Sequence, residues 1–228
     1  MRILALDTAT HLGTVALLEE RDGALLVLAE ASASVDSRHG ETLLPHLTDV
    51  LARGGLKPED LTMLAVGIGP GSFTGVRVGL ATAKGLCLAL KIPLVGVSTL
   101  DVVAAGAGDH AKLLVLLDAK KGEVFGAHYE RGQRIGEPFH GPPAKIEADA
   151  VALVGAGVRD PSFVVPDGAT LLDPELDAPC ADVLGRLALA QLRRVGPSDL
   201  ATLVPLYVRS ADAVIPLAMA ALGAAKDR

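Results

Sequence analysis

Apolar residues come in short blocks along this chain, separated by turn formers. Ile3-Leu4-Ala5-Leu6 is an apolar run closed by Asp7, residues 8–13 are polar and turn-like, and Thr14-Val15-Ala16-Leu17-Leu18 is a second run. Together they predict a β-hairpin with a Thr-rich connection, and Ala24 to Ser32 supplies a third strand. Between Ser37 and Arg53, Leu43, Leu44, Leu47, Val50 and Leu51 share the single buried face of a helix. Gly54-Gly55 ends it, and Pro45 either marks its first turn or kinks it. Leu61 to Ile68 reads as a strand, Gly69-Pro70-Gly71-Ser72 as a sharp turn, and Ser72 or Thr74 as the cap of a helix running to about Leu90. Pro93 to Val97 is a further strand, and Ser98-Thr99-Leu100-Asp101 is a capping turn into another helix.

The pattern then recurs. Leu113 to Leu117 is again an apolar run closed by a carboxylate, Asp118; a short polar connection ends at Gly122, and Val124 to Tyr129 follows as a strand. Asp7, Gly13 and Val15 are thus echoed by Asp118, Gly122 and Val124 at an offset of roughly 110 residues, about one domain length. This suggests a duplicated α/β unit, although any strand-turn-strand has a similar outline. Residues 132–143 read as a loop, 151–155 and 163–165 as strands, 181–194 as an amphipathic helix stopped by Gly196-Pro197, 203–208 as a last strand, and 217–225 as an Ala-rich helix.

Composition narrows the picture. The chain has 228 residues, 50% of them apolar and only 3% aromatic, so its core must be assembled from closely packed Val, Leu and Ala. The formal net charge is −6 and the densest basic clusters are the pairs Lys120-Lys121 and Arg193-Arg194, which argues against a chain that grips a polyphosphate backbone alone. Cys87 and Cys180 sit in apolar stretches and read as reduced core thiols. The N-terminus enters a strand without the features of a leader, and no apolar run approaches the ~18 residues that span a bilayer, so a cytoplasmic location without membrane contact is expected.

Gly67 to Gly79 is the segment richest in chemistry. It follows a strand and opens a helix, yet it fits neither a Walker loop, because Lys84 comes too late, nor the dinucleotide fingerprint, because Gly75 is out of place. Gly75, Gly79 and Ala83 instead recur every fourth residue and form a stripe that lets another backbone approach closely. The stripe is a docking surface if it faces solvent and plain core if it faces the chain's own sheet. Asp7, Thr8 and Thr10 in the first hairpin, with Asp118 at the equivalent place in the second, are candidates to hold a nucleotide's metal and phosphates; ordinary strand-end polarity is the alternative. His39, Glu41 and His46 do not make a metal site, since seven residues of helix set the two histidines about 10.5 Å apart. No metal site is expected.

Asp7-Thr8-Ala9-Thr10, His39-Gly40-Glu41 with Leu44-Pro45, Gly69-Pro70-Gly71-Ser72-Phe73-Thr74-Gly75-Val76-Arg77-Val78-Gly79, Pro93 to Thr99 and Leu206-Tyr207-Val208-Arg209 resemble the TsaB (YeaZ) type of tRNA threonylcarbamoyladenosine biosynthesis protein. The resemblance covers essentially the whole chain and is densest over the first 105 residues or so. It implies an α/β fold of two tandem actin/Hsp70/ribonuclease-H-like domains: 1–104, completed by a C-terminal helix over 209–228, and a smaller one over 105–208. It implies a non-catalytic scaffold or dimerisation subunit of the threonylcarbamoyladenosine (t6A) complex that activates the catalytic paralogue TsaD. In that paralogue a similar turn and helix are followed by a His-x-x-x-His metal motif, and Thr99 and Val103 stand at the corresponding positions here. The implied partners are TsaD as heterodimer, the ATPase subunit TsaE, a second copy when the chain is alone, and tRNA only indirectly. The implied contact residues are Gly71, Ser72, Phe73, Gly75, Val76, Val78, Gly79, Leu80 and Ala83, with Leu43, Leu44 and Leu47 nearby. No cofactor is firmly implied; ATP or ADP with Mg would bind at low affinity or at the partner interface. The competing readings are an actin-fold phosphotransferase using Asp7 and Asp118 and a glycoprotease-like metalloenzyme.

Overall fold

The computed structural model describes residues 1–34, 39–149 and 152–208, with the side chains of 39–42 excepted. Two five-stranded mixed sheets organise the chain. The first comprises β1 (Arg2–Asp7), β2 (Leu12–Arg21), β3 (Ala24–Ser34), β4 (Met63–Gly67) and β5 (Leu94–Val97), in the order β3-β2-β1-β4-β5. β1 to β3 are antiparallel neighbours, whereas β4 and β5 run parallel to β1 and reach it through helical crossovers. The apolar runs of β1 and β4 are continuous because both faces of this sheet are covered. Side-chain alternation then sorts them. Leu4, Leu6, Leu64 and Val66 face α1 (His39–Arg53) and α2 (Phe73–Leu90), whose Leu43, Leu47, Val50, Leu80 and Ala83 complete that layer. Ile3, Ala5, Met63 and Ala65 face α4 (Ala181–Val195) through Ala181, Leu184, Ala188 and Leu189.

The second sheet comprises β6 (Leu113–Lys120), β7 (Glu123–Glu130), β8 (Gln133–Gly141), β9 (Ala152–Val154) and β10 (Thr170–Leu171), in the order β10-β9-β6-β7-β8. It repeats the first: an antiparallel three-strand meander, then two parallel strands beside its first strand. α3 (Thr99–Ala107) leads from one sheet to the other and packs Leu100, Val103 and Ala104 on Leu113, Val115 and Leu117.

Several expectations change. Residues 133–141 form an edge strand instead of a loop. Its entry is a tight turn with positive φ at both Arg131 (47°) and Gly132 (73°), and its side chains are mostly exposed, so it left no apolar periodicity to read. Residues 163–165 are not a strand: Phe163 is buried as a plug while Val164 is 74% exposed. Residues 203–208 are a strap, not a strand. Ser198 N–H donates to the Leu94 carbonyl (2.9 Å), Leu206 N–H donates to the Ile68 carbonyl (2.8 Å), and a Cβ on Gly96 would meet the side chain of Leu203. With α4, this strap belongs to the first sheet, because the apolar face of α4 matches the odd-numbered face of β1; the second unit is therefore narrower than 105–208. The helix expected over 217–225, and with it the completion of the first domain by 209–228, lies outside the described residues. α2, at 18 residues with a mean hydropathy of 1.3, is long and apolar enough to cross a bilayer by length and composition, contrary to expectation, but its inner side is occupied by its own sheet.

Candidate docking surface and interlobe cleft

β4 ends at Gly67, and the chain turns through Gly69 (φ 88°) and a cis Gly69–Pro70 bond into the cap of α2. Ser72 is that cap: its Oγ accepts from Gly75 N–H at 3.2 Å. The turn is pressed against the β1–β2 connection. Ser72 N–H donates to the Ala9 carbonyl at 2.6 Å, and a Cβ on Gly71 would lie 2.1 Å from that same oxygen.

The glycine stripe faces inward. Gly75, Val76, Gly79, Leu80 and Ala83 are buried, a Cβ on Gly79 would stand 2.3 Å from Thr8 Oγ1, and Thr8 Oγ1 donates to the Gly75 carbonyl at 2.7 Å. The stripe lets α2 approach its own sheet, so its assignment as a partner contact is corrected. Leu43 and Leu47 are core for the same reason, being the α1 residues that meet the sheet, and Gly71 and Ser72 are half-buried in the turn. Of the twelve expected contact residues, only Leu44 (54% exposed) and Phe73 (53%) stand open, with Val78 half-exposed.

The opposite side of α2 is the open one. Thr74, Val78, Ala81, Gly85, Leu88 and Ala89 share one helical face; Leu88 is 66% exposed, and a Cβ on Gly85 would meet nothing within 4 Å. At its N-terminal end the Arg77 guanidinium lies 3.5 Å from the Phe73 ring centre and donates to Tyr207 Oη through Nε (3.0 Å) and Nη2 (2.8 Å). Sequence reading missed both the open face and this cluster. Gly85 and Ala89, at the same spacing as Gly75 and Gly79, were the available signal for the face; nothing local signals a contact across 130 residues of chain.

The four nucleotide candidates do not converge. Asp7 is fully buried; its carboxylate accepts from Ala9 N–H (2.7 Å) and Thr99 Oγ1 (2.8 Å), and a Cβ on Gly67 would overlap it. Burial pushes its pKa up to about 6, against the two hydrogen bonds that lower it. Thr8 is committed to Gly75, and Thr10 Oγ1 donates to the Leu12 carbonyl. Asp118 is exposed and paired with Lys120 Nζ at 2.7 Å. Thr10 and Asp118 line a cleft between the two sheets with His11, Ser72, Lys120 and Asp177; its cavity is about 120 Å³. Asp177 is held by Arg159 and by Gly155 N–H. Thr99 has no exposed surface and Val103 is 1% exposed within the second core, so neither faces a ligand. Among the described residues no group of three or more His, Cys, Asp or Glu could hold a metal; the His39 and Glu41 side chains lie outside them. Cys87 is buried as expected, whereas Cys180, just ahead of α4, is exposed. Both thiols are pushed up to about 11, chiefly by burial of the sulfur, so neither is a ready nucleophile.

With this geometry in hand, known proteins are informative. The family described as "TsaD: tRNA N6-adenosine threonylcarbamoyltransferase" matches residues 27–149. The tRNA threonylcarbamoyladenosine biosynthesis protein TsaB of Bacillus subtilis (strain 168) is 30% identical over 93% of this chain and 96% of its own length. The chain belongs to the TsaB family of tRNA threonylcarbamoyladenosine biosynthesis proteins. TsaB of Escherichia coli (strain K12) is 42% identical over 58% of this chain and 57% of its own length. YeaZ from Pseudomonas aeruginosa superposes with a TM-score of 0.75 at 29% identity, over 90% of this chain and 99% of that one. The YeaZ structure thus shares the two-sheet α/β fold, and the TsaD match spans β3 to β8 together with α1 to α3.

Proposed function

We propose that this chain is a non-catalytic pairing subunit for tRNA threonylcarbamoyladenosine synthesis, which docks the transferase paralogue TsaD on the outer face of α2. The carrying observation is the open face itself: Val78, Ala81, Gly85 and Leu88 form an apolar, small-residue surface on one side of α2, and Leu44 of α1 is also exposed. Small residues let a second helix come close, and such contiguous exposure is a feature of interaction sites. The absence of transferase chemistry is supported by Thr99 and Val103, which stand where the paralogue's metal motif would be and are consumed by Asp7 and by the core. Left alone, the same face pairs with a second copy. TsaE and tRNA reach this chain through the complex and not by a basic surface of its own. The two sheets descend from one duplicated actin-like unit, a reading supported by their identical strand order and sense.

Leu88→Glu and Ala81→Glu place a carboxylate on the outer face without touching the sheet. Both variants should keep the wild-type melting temperature within about 2 °C and lose co-elution with TsaD, weakening affinity at least ~100-fold. Retention of wild-type co-elution by both would remove α2 from the interface.

A further inference from the structure

An actin-like fold implies a nucleotide held by its first hairpin turn, and the residues of this chain do not fit one. A carboxylate that coordinates a phosphate-bound metal must present an oxygen to the cleft; Asp7 presents none, being fully buried with one oxygen on Ala9 N–H and the other on Thr99 Oγ1. Thr8 points its hydroxyl the other way, into α2, and Thr10 closes its own turn. The neighbouring cavity, about 120 Å³, is well below the ~300 Å³ at which small-molecule sites begin. Its Asp118 is neutralised by Lys120, the one lysine among the described residues that line it.

The hydrogen bonds that this turn makes beyond its own hairpin point at helix starts. Thr8 reaches the first turn of α2, the Ala9 carbonyl takes the N–H of its cap residue Ser72, and Asp7 takes the hydroxyl of the first residue of α3. Thr99 N–H in turn donates to the Gly69 carbonyl at 2.8 Å, so the entrances of both helices meet at one buried hub. We propose that the turn 7–10 is a joint that seats the docking helix on the sheet, with Thr8 as its positioning residue, and not a cradle for nucleotide. The inference rests on the docking role of α2 for its functional meaning and on the chain's own contacts for its geometry.

Three measurements on the full chain test it. Calorimetric titration with Mg-ATP should give no saturable heat up to ~1 mM; a micromolar Kd would overturn the proposal. Thr8→Val keeps the shape and deletes the hydroxyl, whereas Thr8→Ser keeps the hydroxyl. Amide hydrogen exchange over Gly75 to Gly79 should accelerate about tenfold in Thr8→Val and return towards wild type in Thr8→Ser. Unchanged exchange in the valine variant overturns the joint. Affinity for TsaD should follow the same order, about tenfold weaker for valine and within about threefold for serine. If wild type itself fails to bind TsaD, the docking reading fails, while the exchange and titration results still decide the joint.

Discussion

The two faces of α2 are written in nearly the same alphabet and do opposite things. Gly75, Gly79 and Ala83 look inward onto Thr8 and the sheet; Ala81, Gly85 and Ala89 are exposed on the other side, where a Cβ on Gly85 would meet none of the described residues within 4 Å. Small residues every fourth position mean close approach of something, but sequence spacing does not say of what. The difference lies in what waits opposite. Inside it is a hydroxyl that needs a backbone carbonyl, and there the missing side chain makes room for a hydrogen bond. Outside it is open surface, and there the missing side chain leaves a flat strip.

The sharpest way to break this comparison is to fill one glycine on each face. In Gly79→Leu even the first added carbon lands 2.3 Å from Thr8 Oγ1, and the rest of the side chain must go into the sheet below. Overpacking of this kind costs about 3 kcal/mol or more once the Thr8 bond is lost as well. In Gly85→Leu the first added carbon meets nothing within 4 Å on an exposed face, and the isolated chain should melt at or above the wild-type temperature while losing TsaD. Thermal unfolding of the two purified variants decides it; equal destabilisation would mean that the outer face is also covered.

That the wrong stripe attracts attention first has a physical reason. Helix periodicity groups residues into faces, but which face meets the sheet is settled by residues distant in sequence: here Leu6 and Thr8 below α2, and Tyr207 at its end. The strand blocks, Ser72 as cap and the echo of Asp7 in Asp118 were legible because their signals are local. The edge strand β8, the strap and the allegiance of α4 to the first sheet were not, because an exposed strand has no apolar period and a packing partner has no local signature. The burial of Asp7 belongs to the same class. Its position at a strand end suggested an exposed ligand, yet Gly67, Ala9 and Thr99 close over it.

A second test sharpens the inner side through pH. The Asp7 pKa is about 6 in the folded chain against 3.8 for an ordinary aspartate, so folding disfavours its charged form. The favourable contribution of the protonated carboxyl is therefore complete below about pH 3.8 and is lost as pH rises through 6, for a total of about 3 kcal/mol at 1.36 kcal/mol per pH unit. Asp7→Asn can accept from Ala9 and bond Thr99 without carrying charge. Denaturant titrations between about pH 4.5 and 8 should show wild type losing about 2 kcal/mol relative to the Asn variant as the pH rises. Parallel curves would mean that the carboxylate is better solvated than its burial implies.

The smallest effect is also the cleanest. Gly85→Ala adds one methyl on a mid-helix position with no neighbour within 4 Å and no positive φ to forbid it. Relative to alanine, glycine inside a helix costs roughly 0.5–1 kcal/mol, mostly through the freedom of the unfolded chain. The isolated variant should therefore gain about that much, read as a rise of a few degrees in melting temperature. The same methyl, standing between two close helices, should weaken pairing with TsaD or with a second copy. Stability and affinity would then move in opposite directions, an outcome expected only if the glycine serves the partner and not the fold. Should both rise together, Gly85 is not at the closest approach, and contact would shift towards Leu88 or towards the Phe73–Arg77–Tyr207 end of the helix.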